Sequence, residues 1–209
     1  MRNILHIAAL GFLLATASAP AQTAGDQQAV IDTSLGTITI ALDAVHAPQT
    51  VANFIRYANE KHFDGTVIYR VVPGFVIQMG SYNADGNARP THASIPLEAN
   101  NGLSNLRGSV AMARGDDPAS ATAEFFIDLA DNAALDHEAS DTNNVTGYAV
   151  FGKVTGGMDV VDQIAATPLG GTGPFEGAAP QTPIVIRSVR VMTAPTAPPA
   201  ASQLPADTH

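Results

Sequence analysis

Short apolar runs separated by glycine- and proline-rich turns fill the middle of this chain, and two stretches break that rhythm with helical spacing. Val30-Ile31 and Ile38-Thr39-Ile40-Ala41-Leu42 flank Ser34-Leu35-Gly36, which predicts two strands joined by a tight turn. Pro48, followed by Val51, Phe54, Ile55 and Ala58 at helical spacing, predicts a helix with one apolar stripe, ended by Asp64-Gly65. Beyond it, Val67-Ile68-Tyr69, Val71-Val72, Phe75-Val76-Ile77, Gly108 to Met112, Phe125-Phe126-Ile127 and Tyr148 to Phe151 predict further strands. A second helix is expected over Met158 to Ala165, burying Val160, Val161 and Ile164, and a last strand over Ile184 to Val191. Many short strands divided by glycine turns imply a sandwich or a barrel.

The two ends of the chain read differently. Met1 to Ala21 carries Arg2, an apolar run from Ile4 to Leu14 broken only by His6, and then Ala19-Pro20-Ala21, the order of a secretory signal peptide with its cleavage site. The alternative, an uncleaved anchor, is disfavoured because the run falls short of the ~20 residues that a spanning helix needs. Residues 22–27 then read as a short linker. Pro195, Pro198, Pro199 and Pro205 lie among alanines and polar residues, so 193–209 reads as a disordered tail. The folded unit is expected over 28–192, in an exported protein that is periplasmic if the source is a Gram-negative bacterium and otherwise secreted.

Composition narrows the chemistry. With 45% apolar and 14% charged residues, the 209-residue chain is globular in character, and without cysteine it can form neither disulfides, a thiol nucleophile nor a lipoprotein anchor. Acidic residues outnumber basic ones 19 to 10, so nucleic acid is not an expected partner. His46, His62, His92 and His137 lack the spacing of a zinc site, and Gly170 to Gly177 lacks the Gly-Lys-Ser/Thr of a phosphate loop. No metal or cofactor is expected. Arg114-Gly115-Asp116 spells an adhesion tripeptide, but nothing else in the chain points to cell-surface binding.

One segment stands apart, Tyr69-Arg70-Val71-Val72-Pro73-Gly74-Phe75-Val76-Ile77-Gln78-Met79-Gly80. Two strands around a Pro-Gly turn would bring a guanidinium, an aromatic ring and a side-chain amide together. By itself it reads equally well as a plain hairpin with a core phenylalanine. Further segments accompany it: Glu98-Ala99-Asn100-Asn101-Gly102-Leu103, Arg107 to Arg114, Phe125-Phe126-Ile127, Leu135-Asp136 and Val150-Phe151-Gly152-Lys153-Val154. In that order, from about Ala29 to Val191, they resemble the cyclophilin family of peptidyl-prolyl cis/trans isomerases, most closely its exported bacterial members.

The resemblance implies a mainly β fold, an eight-stranded antiparallel barrel capped by two helices. It implies that Arg70 is catalytic and that Phe75, Val76, Phe126 and Leu135 hold the substrate proline. Gln78 would hold a substrate carbonyl, Ala113, Arg114 and Gly115 would run beside the residue before proline, and Tyr148 would stand where many members have histidine. Phe125, on the opposite side of its strand from Phe126, is expected in the core. The implied function is faster proline-limited folding of exported proteins by a monomer that acts on proline-containing segments and has no stable membrane association once its signal is cleaved. The alternative is a binding module or holdase of the same fold with little turnover. Three positions depart from the family. Glu124 replaces glutamine, which puts a carboxylate near Arg70 and suggests that it orients the guanidinium. Ala134 replaces a common tryptophan or phenylalanine, which implies weak cyclosporin binding. Met79 stands where glycine is frequent.

Overall fold

The computed structural model describes residues 27–171 and 175–193. The expected signal segment, most of the 22–27 linker and the tail beyond Thr193 lie outside the described residues. Eight strands form one antiparallel sheet: β1 (Gln27–Thr33), β2 (Gly36–Leu42), β3 (Thr66–Val72), β4 (Val76–Asn83), β5 (Ser109–Met112), β6 (Phe125–Asp128), β7 (Val150–Gly156) and β8 (Ile186–Thr193). Two α-helices accompany them, α1 (Pro48–Asn59) and α2 (Met158–Ala165). The sheet order is β3-β4-β6-β5-β7-β2-β1-β8, and it curls into a half-barrel. Its edges β3 and β8 are brought together at a bridge between Val67 and Val185, flanked by hydrogen bonds from Gly65 N to the Ile186 carbonyl and from Ile68 N to that of Ile184.

The alternation of the strands divides the molecule into two apolar clusters. Inward-facing Ile31, Ile38, Ile40, Ile77, Val110, Phe125, Ile127 and Phe151 build the main core. Helix α1 closes one end by inserting Phe54, whose ring lies 5.3 Å from each of Phe63, Phe125 and Phe151. Its first turn is held by Glu98, whose carboxylate accepts from Gln49 N (3.1 Å) and Thr50 N (2.8 Å), a negative charge at the positive end of the helix dipole. Met79 fills core space between Ile68 and Phe125, fully buried, which explains a large residue at that position. A second, smaller cluster of Val76, Ala111, Ala113, Phe126 and Val150 lies on the outer face of the same strands.

The expected elements form with shifted boundaries. Segments Val67 to Tyr69 and Val71-Val72 are one strand, β4 continues to Asn83, and the Tyr148 segment enters the sheet only at Val150. A 3-10 turn over Ala133–Leu135 had no signature in the apolar pattern. Gly80 sits at a φ of +120°, where an added Cβ would stand 2.5 Å from the Ala123 carbonyl oxygen. Both the backbone angle and that approach call for glycine.

A buried polar network ties the outer loops to the sheet. Asp128, with no exposed surface, accepts a 2.7 Å bond from Asn132 Nδ2, which also donates to the Phe75 carbonyl (3.0 Å). Asp136 accepts from Asn105 N (2.6 Å) and Asn105 Nδ2 (2.8 Å), while Asn132 N donates to the Asn105 carbonyl (2.8 Å). Burial pushes the Asp128 carboxyl up to about 7, aided by the nearby Asp136 charge and opposed by the Asn132 bond. The folded chain therefore keeps a proton that the unfolded chain has lost, and the stability tied to it declines as pH rises from about 4 through 7.

Two predictions follow the fold. Asp128→Asn should be more stable than the parent at pH 8 by roughly 1 to 3 kcal/mol, with the gap closing near pH 4, in urea titrations at both pH values. Gly80→Ala should lose about 1 to 3 kcal/mol in the same measurement; a variant as stable as the parent would show that β4 can relax there.

Candidate active site

A single cross-strand row builds the site. In register, Arg70 on β3 pairs with Gln78 on β4, Gln78 with Phe126 on β6, Phe126 with Ala111 on β5, and Ala111 with Val150 on β7. Paired residues share a face of a sheet, so five strands present this row on the outside of the half-barrel. Their neighbours Val71, Ile77, Ile127 and Val110 point into the core. Around the row lies a hollow of about 140 Å³ lined by Arg70, Phe75, Val76, Gln78, Ala113, Arg114, Phe126, Leu135 and Tyr148. Nine of the eleven residues expected at the site thus converge on one cavity, and Phe125 is buried in the main core as expected.

The walls are set by backbone bonds. The β3–β4 turn positions Phe75, whose N–H donates to the Val72 carbonyl, and Gly74 takes a φ of +73° to permit that turn. Opposite it, the 3-10 turn brings Leu135 to the rim, and Tyr148 N donates to the Leu135 carbonyl (3.0 Å). Tyr148 meets Phe126 edge-on at 5.6 Å, and the Arg114 guanidinium lies 5.1 Å from the Tyr148 ring centre. Arg114 is itself pinned by bonds to the carbonyls of Gly147, Gly115 and Val145. Its charge thus stays at the rim while its donors hold the loop that carries Tyr148.

The polar end of the hollow is a relay. Glu124 Oε2 accepts from Tyr69 OH (2.6 Å) and from Gln78 Nε2 (3.0 Å), and Gln78 Oε1 accepts from Arg70 (3.1 Å). Glu124 therefore fixes which way the Gln78 amide points, so that its oxygen faces the guanidinium. Burial and the Glu124 charge push the Tyr69 phenol strongly upward, keeping it a donor at any physiological pH. Among the described residues Arg70 forms no ion pair, and its other donors remain open to the hollow.

Two expected residues lie off the cavity lining. Glu124 supports the site from behind Gln78 and does not bond Arg70, so it orients the guanidinium only through the amide. Gly115 is exposed and contributes its carbonyl to Arg114. Ala134 is exposed on the 3-10 turn and lines nothing in the hollow. Sequence reasoning missed Tyr69, because a bulge between Ile68 and Arg70 turns its hydroxyl toward Glu124. It also missed Asn132, which carries no motif. Among the described residues no group of three or more metal-binding side chains is present.

Comparison with known proteins agrees with this geometry. The family model described as cyclophilin type peptidyl-prolyl cis-trans isomerase/CLD matches residues 29–191. The chain is 43% identical over 193 residues to peptidyl-prolyl cis-trans isomerase A of Dickeya dadantii, covering 92% of this chain and 99% of that protein. It is 41% identical over 159 residues to peptidyl-prolyl cis-trans isomerase B of Escherichia coli, covering 76% and 96% respectively. A crystal structure of a Cryptosporidium parvum cyclophilin type peptidyl-prolyl cis-trans isomerase matches with a TM-score of 0.69 at 20% identity, over 81% of this chain and 99% of that one, a likeness of fold. Matched over residues 29–191 and to most of the length of these relatives, the chain belongs to the cyclophilin-type peptidyl-prolyl cis-trans isomerases, enzymes acting on proline-containing polypeptides.

Proposed function

We propose that Arg70 carries the isomerisation and that Phe75, Val76, Phe126 and Leu135 hold the substrate proline ring. The supporting observation is the outer-face row, which sets an uncompensated guanidinium beside an apolar hollow. Rotation about a peptide bond is slow because the nitrogen lone pair is shared with the carbonyl, and prolyl bonds exchange over tens of seconds. A cation donating to the prolyl nitrogen or to the twisting carbonyl favours the non-planar amide over the planar one, so it binds the transition state more tightly than the ground state. Arginine stays charged throughout and no proton need move. Raising a rate of ~0.01 to 0.1 per second to ~1000 per second removes about 5.5 to 7 kcal/mol from the barrier.

Each remaining residue has a share. Burying the proline ring against Phe126 and its neighbours contributes roughly 1.5 to 3 kcal/mol to binding. Gln78 steadies Arg70 with its oxygen and keeps a second amide hydrogen for a substrate carbonyl. Glu124 is a positioning residue acting through Gln78. Ala113, Arg114 and Gly115 run beside the residue before proline, and Tyr148 closes the rim. The apolar run and Ala-Pro-Ala of the first 21 residues support an exported enzyme, periplasmic if the source is Gram-negative. Its clients are then exported proteins whose folding waits on proline, met by a monomer that binds neither membrane nor nucleic acid.

Exchange NMR on an Ala-Pro peptide tests this reading. Arg70→Ala should lower kcat/KM by about 100-fold or more, the cost of removing a donor aimed at the transition state; retention of full activity would remove Arg70 from the mechanism. Glu124→Ala should lower kcat by about threefold to tenfold, the worth of one hydrogen bond, and Glu124→Gln should restore it because an amide oxygen can accept both donors. Failure of glutamine to rescue would mean that the charge, and not the orientation of Gln78, matters.

A further inference from the structure

A larger hollow, of about 710 Å³, lies next to the proline pocket and takes no part in the chemistry above. Val45, His46, Leu103, Leu106, Val150 and Lys153 are among its lining residues. Val45 and Leu106 are 66% and 52% exposed, and they are two of the four large hydrophobic side chains exposed among the described residues. Single exposed leucines are ordinary on protein surfaces, but two flanking one apolar hollow form a patch.

The hollow borders the same outer apolar cluster as the proline pocket. Val150 is the fifth member of the row that begins at Arg70, and Leu103 packs on the same outer cluster as Phe126. Both residues also line the larger hollow. With strands about 4.8 Å apart, Val150 lies roughly 10 Å from Phe126 across Ala111, a span that about three residues of extended chain cover. The rim carries the exposed side chain of Lys153, which has no ion pair among the described residues, and His46, bonded to Asp43 at 2.8 Å.

We propose that this hollow is a second binding site for the polypeptide substrate, taking an apolar side chain that lies about three to five residues from the proline held at Phe126. The inference rests on Phe126 holding the proline, and it adds what kind of client is preferred: an extended, unfolded segment with a large aliphatic residue near its proline. A folded domain could not thread such a path, and a short peptide would not reach it. The site thus separates clients by what surrounds their proline, whereas the row itself acts on the prolyl bond.

The double variant Val45→Ser/Leu106→Ser tests the site, because both side chains are already more than half exposed and their loss removes little packing. On a four-residue Ala-Pro peptide its kcat/KM should match the parent within about twofold, while on an unfolded carboxymethylated protein whose refolding waits on proline it should fall about fivefold to thirtyfold, the value of two apolar contacts. As a second readout on the parent protein, nine-residue peptides with leucine four positions before or after proline should shift the NMR methyl signals of Val45, Leu103 and Leu106. The same peptides with serine should not. Equal loss on both substrates, no loss on either, or methyl signals indifferent to leucine in both peptides would overturn the proposal. Inactivity of the parent on the four-residue peptide would instead overturn the assignment of the proline pocket.

Discussion

Arg70 reaches the outer hollow because the β3–β4 ladder sets it opposite Gln78, and every later contact in the site inherits that register. A slip of one residue would turn the guanidinium into the core and bring Val71 out in its place, since side chains alternate between the two faces of a strand. What prevents the slip is the inner face. Val71, Ile77, Ile127 and Val110 are buried in the main core, and moving them outward would expose all four at once. The row is therefore held in register by the hydrophobic effect acting on its inner-face neighbours, in addition to its own packing in the outer cluster.

The acidic character of the chain takes on local meaning around that row. Glu124 lies behind the site and accepts two donors, and burial together with its charge raises the Tyr69 phenol, while Arg70 is left without an ion pair among the described residues. A carboxylate bonded directly to the guanidinium would compete with the substrate for it. One placed behind an amide fixes the geometry without occupying the donors. Asp128 and Asn132 do comparable work for the apolar wall, joining the Phe75 turn to the loop of Leu135 through buried bonds.

Much of this was legible along the chain. Alternation separated Phe126 from Phe125, and the structure puts one in the outer hollow and the other against Phe54. The spacing of Val51, Phe54, Ile55 and Ala58 located α1, and that of Val160, Val161 and Ile164 located α2, because burying one face of a helix leaves a periodic trace; Ile55 and Val160, at the edges of those faces, are only partly buried. Tyr69 and Asn132 left no such trace. A bulge is one extra residue in a ladder, visible only when the partner strand is known. An asparagine that bridges two loops looks like any polar loop residue until both loops are placed.

The chain alone settled which residues could be strands or helices, which face of each was apolar, and, through motifs spread from Ala29 to Val191, the family of its fold. Those are local properties, written in propensity, periodicity and order. The tertiary structure decided that β6 lies between β4 and β5, so that Gln78, Phe126 and Ala111 fall side by side, that Glu124 bonds Gln78 instead of Arg70, and that Val150 packs in the cluster of Phe126 while lining the larger hollow. These depend on pairings between strands far apart in the chain, which the packing of the whole core selects and no single segment encodes.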